Sequence, residues 1–339
     1  MSVTQGLYRI GTVPYPGEDG SYVDIRYFAG NLGVFTGDIT GVITSDTTST
    51  EICYFHNKYL NGHTLCIDNS IDRSIGNNYA RAENKLVFDS TVASFHGLYF
   101  RQDAYSGGRY IIRNQFFQRV NQTATGQSSD LYFRALYRHW DATVENNTFY
   151  SPHTADNTSW YPIWLVGTAA MDDGTDCHIQ IRNNVMHGYN IGIIAQNFDT
   201  GDMSAIISNN VFYPAGGNYS IDYAQSQTWG YNNVSLGGAG FSVAADTTGY
   251  SNISNGANGA WAAGTNYINQ DVGKLYDSTV FGDPNYAHPN IQEGGIALHA
   301  GTSDGQATHT TYYNGLPIIS SDVQIGAFGV RTPPPIMTD

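Results

Sequence analysis

Five times in this chain of 339 residues a short strand-like run ends in an asparagine followed by a second amide side chain. The stretches are "IIRNQFFQRV" (111–120), "TVENNTFYSP" (143–152), "IQIRNNVMHG" (179–188), "AIISNNVFYP" (205–214) and "WGYNNVSLGG" (229–238). The first asparagines are Asn114, Asn146, Asn183, Asn209 and Asn232, separated by 32, 37, 26 and 23 residues. A fixed motif recurring at irregular spacings within about 20–50 residues marks a solenoid whose turns carry inserted loops.

The columns around each pair carry the pattern further. Two residues before the first asparagine stand Ile112, Val144, Ile181, Ile207 and Gly230; three after it stand Phe117, Phe149, Met186, Phe212 and Ser235. These read as inward-facing core. Arg113, Glu145, Arg182, Ser208 and Tyr231, one residue before, read as outward-facing, and this alternation is the period of a strand. A further strand-like run follows each pair: "DLYFRAL", "YPIWLV", "NIGIIAQ", "YSIDYA" and "FSVAA". Three short strands with their turns need roughly 20–25 residues, which matches the two tightest spacings. The expected fold is all-β: a single-stranded right-handed parallel β-helix with an N-terminal cap and a C-terminal closing segment.

In such a stack, equivalent asparagines lie one above another. Asn114, Asn146, Asn183, Asn209 and Asn232 are therefore expected to form a structural ladder, each amide donating to the next and accepting from the previous one. Asparagine also tolerates the left-handed backbone of a sharp corner. The outward column predicts Arg113, Glu145 and Arg182 stacked as plus, minus, plus, a favourable arrangement worth about 0–1 kcal/mol per exposed pair.

Composition agrees with strands and turns. Charged residues make up 13 % of the chain, against roughly 25 % in an average soluble domain. Only Lys58, Lys85 and Lys274 are lysines, while glycine (38) and tyrosine (25) abound. A net charge of −14 without a basic stretch excludes nucleic acid and an anionic membrane surface as partners, since both need clustered Lys and Arg. Cys53, Cys66 and Cys177 are too few and too widely spaced for a disulfide framework or a zinc site. No run approaches the roughly 20 apolar residues of a membrane span, and "MSVTQGLYRIGTV" lacks the features of a secretory signal. The expectation is a protein made in a cytoplasm without a secretory signal.

The expected organisation is an N-terminal cap in 1–50, with a short amphipathic helix over "EDGSYVDIRYFAGN" (18–31), a parallel β-helix over 51–281, closing coils in 282–330 and an extended Pro-rich tail in 331–339. The Asn-Asn coils, closed by "DPNY" (283–286), "IALHAGT" (296–302) and "DVQIGAF" (322–328), resemble the right-handed parallel β-helix proteins of the pectate-lyase-like superfamily. The opening "YRIGT…DGSYVDIRYFAGNL" looks like the capping start of β-helix proteins encoded by tailed bacteriophages. The resemblance spans about residues 5–330 and is specific for fold more than for activity.

What the resemblance implies about activity divides two ways. Enzymes of this group bind polysaccharide along the coils; the lyases use Asp-bound calcium with an Arg or Lys base, and phage hydrolases use paired carboxylates. The lyase Arg-x-Pro-x-x-Arg motif is absent here, and no lysine falls in the central coils. The densest carboxylate group is Asp172, Asp173 and Asp176, stacked near Asp141 and His178. As an enzyme, a polysaccharide lyase or glycoside hydrolase, the chain would use these five residues; the same aspartates could hold Ca²⁺ through oxygen ligands. The bland reading is a solvated turn in an acidic protein. Trp140, Trp160, Trp164 and Tyr161 could form a sugar platform, although aromatic residues on such strands more often pack. The reading preferred from the sequence is a non-enzymatic structural virion protein of a tailed phage, a surface spike or capsid decoration. It would be located on the virion surface as a homotrimer, bound to a capsid or tail protein, with no cofactor. The alternatives are a polysaccharide-degrading enzyme and an adhesin that binds a host surface glycan.

Overall fold

In the computed structural model, described residues before 103 lie in the strands named below. From 108 onward it describes 108–120, 127–135, 140–151, 160–167, 177–196, 203–214, 219–223, 227–236, 239–243 and 248–254. Every element described is a β-strand.

The chain visits three parallel sheets in rotation. The first contains β3 (Phe35–Thr36), β6 (Thr64–Asp68), β9 (Gly108–Arg113), β12 (Trp140–Glu145), β15 (Cys177–Arg182), β18 (Met203–Ser208), β21 (Gln227–Tyr231) and β24 (Thr248–Tyr250). The second contains β4 (Gly41–Thr44), β7 (Lys85–Asp89), β10 (Phe116–Val120), β13 (Thr148–Tyr150), β16 (Val185–His187), β19 (Val211–Tyr213), β22 (Val234–Ser235) and β25 (Ile253–Ser254). The third contains β5 (Glu51–His56), β8 (His96–Gln102), β11 (Ser128–Ala135), β14 (Trp160–Val166), β17 (Ile193–Gln196), β20 (Tyr219–Tyr223) and β23 (Gly240–Val243). Within these three sheets each interior strand pairs with the strand three before it and the strand three after it, and three consecutive strands, one from each sheet, make one circuit.

The inward columns expected from the sequence are rows of the core. Ile112, Val144, Ile181 and Ile207 pair in register across the first sheet and are fully buried. Phe117, Phe149, Met186 and Phe212 do the same in the second, with Phe117 and Phe149 stacked at 4.9 Å. Leu131, Ile163, Ile193, Ile221 and Phe241 line the third. Each such side chain contributes roughly 1.5–3 kcal/mol by leaving water.

One expectation at the N-terminus is corrected. Within the helix predicted over 18–31, β2 (Ser21–Tyr22) is extended and pairs antiparallel with β1 (Val13–Pro14). Gly20 and the β-formers Tyr22 and Val23 favour a hairpin arm over a helix start. The rest of that segment, the closing coils of 282–330 and the tail of 331–339 lie outside the described residues.

The corner between the first and second sheets divides the work of each asparagine pair. Asn114, Asn146, Asn183, Asn209 and Asn232 all take a left-handed backbone, with φ between 54° and 58°. This conformation turns the chain, and the side chain that projects into the stack then belongs to the next residue. The ladder accordingly runs through Asn147, Asn184, Asn210, Asn233 and Asn252 rather than through the first asparagines. Nδ2 of Asn147 donates to Oδ1 of Asn184 at 3.1 Å, Asn184 to Asn210 at 3.0 Å, Asn210 to Asn233 at 3.0 Å and Asn233 to Asn252 at 2.9 Å. The second N–H of each amide reaches a backbone carbonyl of the preceding circuit; Asn184, for example, donates to Val144 O at 2.9 Å. A sixth corner extends the series, with Ser251 at φ 54° and Asn252 completing the ladder. In the first corner Gln115 stands at the ladder position, its backbone N–H donating to Asn147 Oδ1 at 3.0 Å.

Candidate functional site

The residues proposed for chemistry divide between the described part of the chain and the rest. Asp141 on β12 and His178 on β15 are paired in register, and both are exposed. They flank inward Ala142 and Ile179, so alternation sets them on the outer face of the first sheet. Asp172, Asp173 and Asp176 lie outside the described residues. The Ca²⁺ expectation falls chiefly on those three. Among the described residues there is no group of three or more His, Cys, Asp or Glu side chains placed to hold a metal ion.

Four positions further along β12, the same outer face carries the charge column. Arg182 Nη2 lies 2.7 Å from Glu145 Oε2, and Arg113 Nη1 lies 3.7 Å from Glu145 Oε1. Arg182 also donates to Gln180 Oε1 at 3.0 Å. Glu145 is held between two guanidiniums and has a structural task.

The tryptophans and tyrosine considered for a sugar platform are placed differently from one another. Trp160 points into the core and is 1 % exposed. Trp164 and Tyr161 meet edge-to-face at 5.4 Å and pack with Val166 and Ile194, all buried. Strand β14 is buried along its whole length, as expected of a parallel strand covered on both faces. These two rings are therefore packing residues. Burial raises the Tyr161 hydroxyl above its ordinary range, with Asp222 adding to the effect, and burial likewise raises the Asp222 carboxyl. The side chain of Trp140 is outside the described ones.

A fully buried polar group in the described core was not anticipated from the sequence. Arg119 on β10 and Asp130 on β11 are both fully buried, and Arg119 Nε donates to Asp130 Oδ1 at 2.6 Å. The Tyr189 hydroxyl donates to the other oxygen, Oδ2, at 2.5 Å. Arg119 also donates to the backbone carbonyl of Ser129. Its guanidinium lies 3.5 Å above the Trp160 ring, and Trp160 meets Tyr189 edge-on at 6.2 Å. Beside them His96 Nδ1 lies 2.9 Å from Ser129 Oγ, with the ring stacked on Tyr132 at 4.0 Å.

Burial is the largest influence on every titratable member. It pushes the Asp130 carboxyl up to about 6 against the opposing pull of Arg119, and lowers Arg119 to about 10. It raises Tyr189 well above the phenol range, and lowers His96 to about 3, with the Arg119 charge adding to the shift. The Arg119 charge and the bonds from Tyr189, Trp160 and Arg119 oppose the upward push of burial on Asp130. The cost of burying both charges is offset by short charge-assisted bonds and the ring face.

A second ring column stands on the outer face of the second sheet. His187 stacks on Tyr213 at 4.9 Å and on Tyr150 at 5.4 Å. Burial lowers His187 to about 4. Between the second and third sheets, Met186, Tyr189, Gly192, Phe212, Tyr213, Pro214 and Ser220 line a cavity of about 10 Å³, space for roughly one water. The fully buried Arg119–Asp130 group joins β10 to β11 and, through Tyr189, to the turn that follows β16.

Comparison of the chain with protein-family models, with curated proteins and with solved structures finds no match.

Proposed function

We propose that the chain is a right-handed single-stranded parallel β-helix and serves as a non-enzymatic structural protein on the surface of a tailed-phage particle, as a spike or capsid decoration. The observation that carries this reading is the continuity of the ladder: five asparagines in successive circuits, each bonded to the next inside the stack. Such a stack is a rigid rod. Eight strands in one sheet at about 4.8 Å each give a body roughly 34 Å tall, suited to a knob on a shell. The acidic, lysine-poor composition favours solubility and mutual repulsion between neighbouring copies. The resemblance of the opening segment "YRIGT…DGSYVDIRYFAGNL" to the capping start of phage-encoded β-helix proteins suggests the particle. A homotrimer is the assembly proposed, since closed symmetry is the rule for homo-oligomers, with a capsid or tail protein as the second partner.

Light scattering on the purified chain tests the assembly, and immunogold labelling of tailed particles, released by cells that carry the gene, tests the location. A trimeric mass with gold on particle surfaces is expected. A monomer and unlabelled particles would overturn the reading.

The exposed Asp141–His178 pair on the first sheet favours a second reading, action on or binding of a surface glycan. Incubation with a panel of bacterial capsule and exopolysaccharides tests it. Release of reducing ends or of an unsaturated product, abolished by Asp141→Asn, would promote this reading over the structural one.

A further inference from the structure

We infer that the buried Arg119–Asp130–Tyr189 network is the device that sets the register of the third sheet, as the asparagine ladder does at the corner between the first two. The need for such a device follows from chain lengths. From the second sheet to the third, the connection is seven residues (121–127), nine (151–159), five (188–192), five (214–218) and four (236–239) in successive circuits. Connections this unequal cannot by themselves fix where β11, β14 and β17 begin against one another.

The apolar rows do not fix it either. A strand that slips by one residue turns its core face outward, but a slip of two preserves the alternation. Leu98 and Phe100, Leu131 and Phe133, Ile163 and Leu165, Ile193 and Ala195 are all inward and all apolar. After a two-residue slip, apolar side chains still meet apolar side chains.

The polar network does discriminate. Asp130 is bonded to Arg119 in its own circuit and to Tyr189 two circuits on, with Trp160 of the intervening circuit under the guanidinium. A slip of β11 by two residues carries Asp130 roughly 6.6 Å along the strand. Arg119, Asp130 and Tyr189 would then be buried without one another, and breaking a buried pair in this way is far costlier than mismatching apolar groups. One network thus ties three circuits whose connections differ most in length. Beyond its reach the pairing is less regular: between β20 and β23 the register shifts between Tyr219 and Ile221.

Disulfide trapping reads the register directly. Arg134 and Val166 are paired on β11 and β14, whereas Tyr132 and Val166 are two residues out of register. Arg134→Cys with Val166→Cys falls within bridging distance; Tyr132→Cys with Val166→Cys leaves the two positions about 8 Å apart, too far to bridge. Each pair is introduced into the natural chain and into an Arg119→Met, Asp130→Leu, Tyr189→Phe background. Oxidation is followed by peptide mass mapping, which separates these bridges from any to Cys53, Cys66 or Cys177. In the natural background only the 134–166 bridge is expected. In the apolar background both bridges are expected, from a mixture of registers. Exclusive formation of the 134–166 bridge in the apolar background would overturn the inference and leave the network a merely stabilising contact. Should the triple variant fail to fold, Arg119→Gln with Asp130→Asn is scored by the same two bridges and the same outcomes.

Discussion

Oδ1 of Asn184 accepts twice from Asn147, from the backbone N–H at 3.0 Å and from Nδ2 at 3.1 Å. Its own Nδ2 donates to Val144 O in the preceding circuit and to Asn210 Oδ1 in the next. One amide thereby has its four hydrogen-bonding positions filled inside the stack, and joins three circuits. Replacing it by leucine strands several buried donors and acceptors, at about 1–3 kcal/mol for each group left unsatisfied. Asn184→Leu is therefore expected to destabilise by about 3 kcal/mol or more, measured by urea unfolding.

The neighbouring asparagine should respond to different substitutions. Asn183 holds φ 54°, a conformation glycine takes freely and alanine takes at a cost of roughly 1–2 kcal/mol. Asn183→Gly should lie close to the natural protein in stability, and Asn183→Ala should fall below it. Equal losses at 183 and 184 for the same substitution, in the same unfolding assay, would contradict this division of labour.

Gly188 precedes Tyr189 at φ 80°, and a Cβ there would lie 2.0 Å from the Ser151 carbonyl oxygen. Gly188→Ala should shift the turn that presents Tyr189 to Asp130. A loss of at least about 1–2 kcal/mol is expected from the backbone alone, with loss of the Tyr189 contact visible in near-ultraviolet circular dichroism. An unchanged spectrum and unchanged stability would mean that this turn is not held as described.

Acid should weaken the fold through two histidines. Folding lowers His96 from 6.5 to about 3 and His187 from 6.5 to about 4, in both cases chiefly by burial. The unfolded chain therefore binds these protons first. The stability present above pH 6.5 is lost progressively as pH falls toward about 4 for His187 and about 3 for His96. Asp130 acts in the opposite sense: raised to about 6, it takes up its proton earlier in the folded state and adds stability between pH 6 and 3.8. His96→Gln, which cannot charge, should flatten the fall in urea midpoint between pH 6.5 and 4. A slope unchanged by this substitution would show that His96 is not buried neutral.

The charge column on the first sheet should matter less. Glu145 lies between Arg113 and Arg182 with partly exposed side chains, so Glu145→Gln is expected to cost about 1 kcal/mol or less. The effect should shrink at 1 M NaCl, where the screening length is about 3 Å; a loss that salt leaves untouched would point to packing instead.

The parts of the fold that repeat were legible in the sequence. A column such as Ile112, Val144, Ile181 and Ile207 is visible because each circuit poses the same burial problem and meets it with the same kind of residue. The Arg113–Glu145–Arg182 column was legible for the same reason. The assignment of the ladder was not, because both residues of an Asn-Asn pair fit the pattern and only the backbone tells which one turns the corner. Ser251–Asn252 escaped notice because the first position needs only a tolerable left-handed residue, whereas the second needs an amide; "GYSNIS" beside "GYNNVS" carries that signal. The Arg119–Asp130–Tyr189 network is not periodic. Its members lie 11 and 59 residues apart, and nothing local marks them as partners. Of the residues considered for chemistry, Asp141 and His178 could be placed on neighbouring strands because each stands five residues before the first asparagine of its pair.

Successive circuits are joined by an asparagine ladder that runs from Asn147 to Asn252. A crystal structure resolving the side chains of residues 140–254 tests it most directly. Asn147, Asn184, Asn210, Asn233 and Asn252 are expected in one column, each Nδ2 at about 3 Å from the next Oδ1. Helical backbone over 179–188, or ladder amides turned toward solvent, would contradict it.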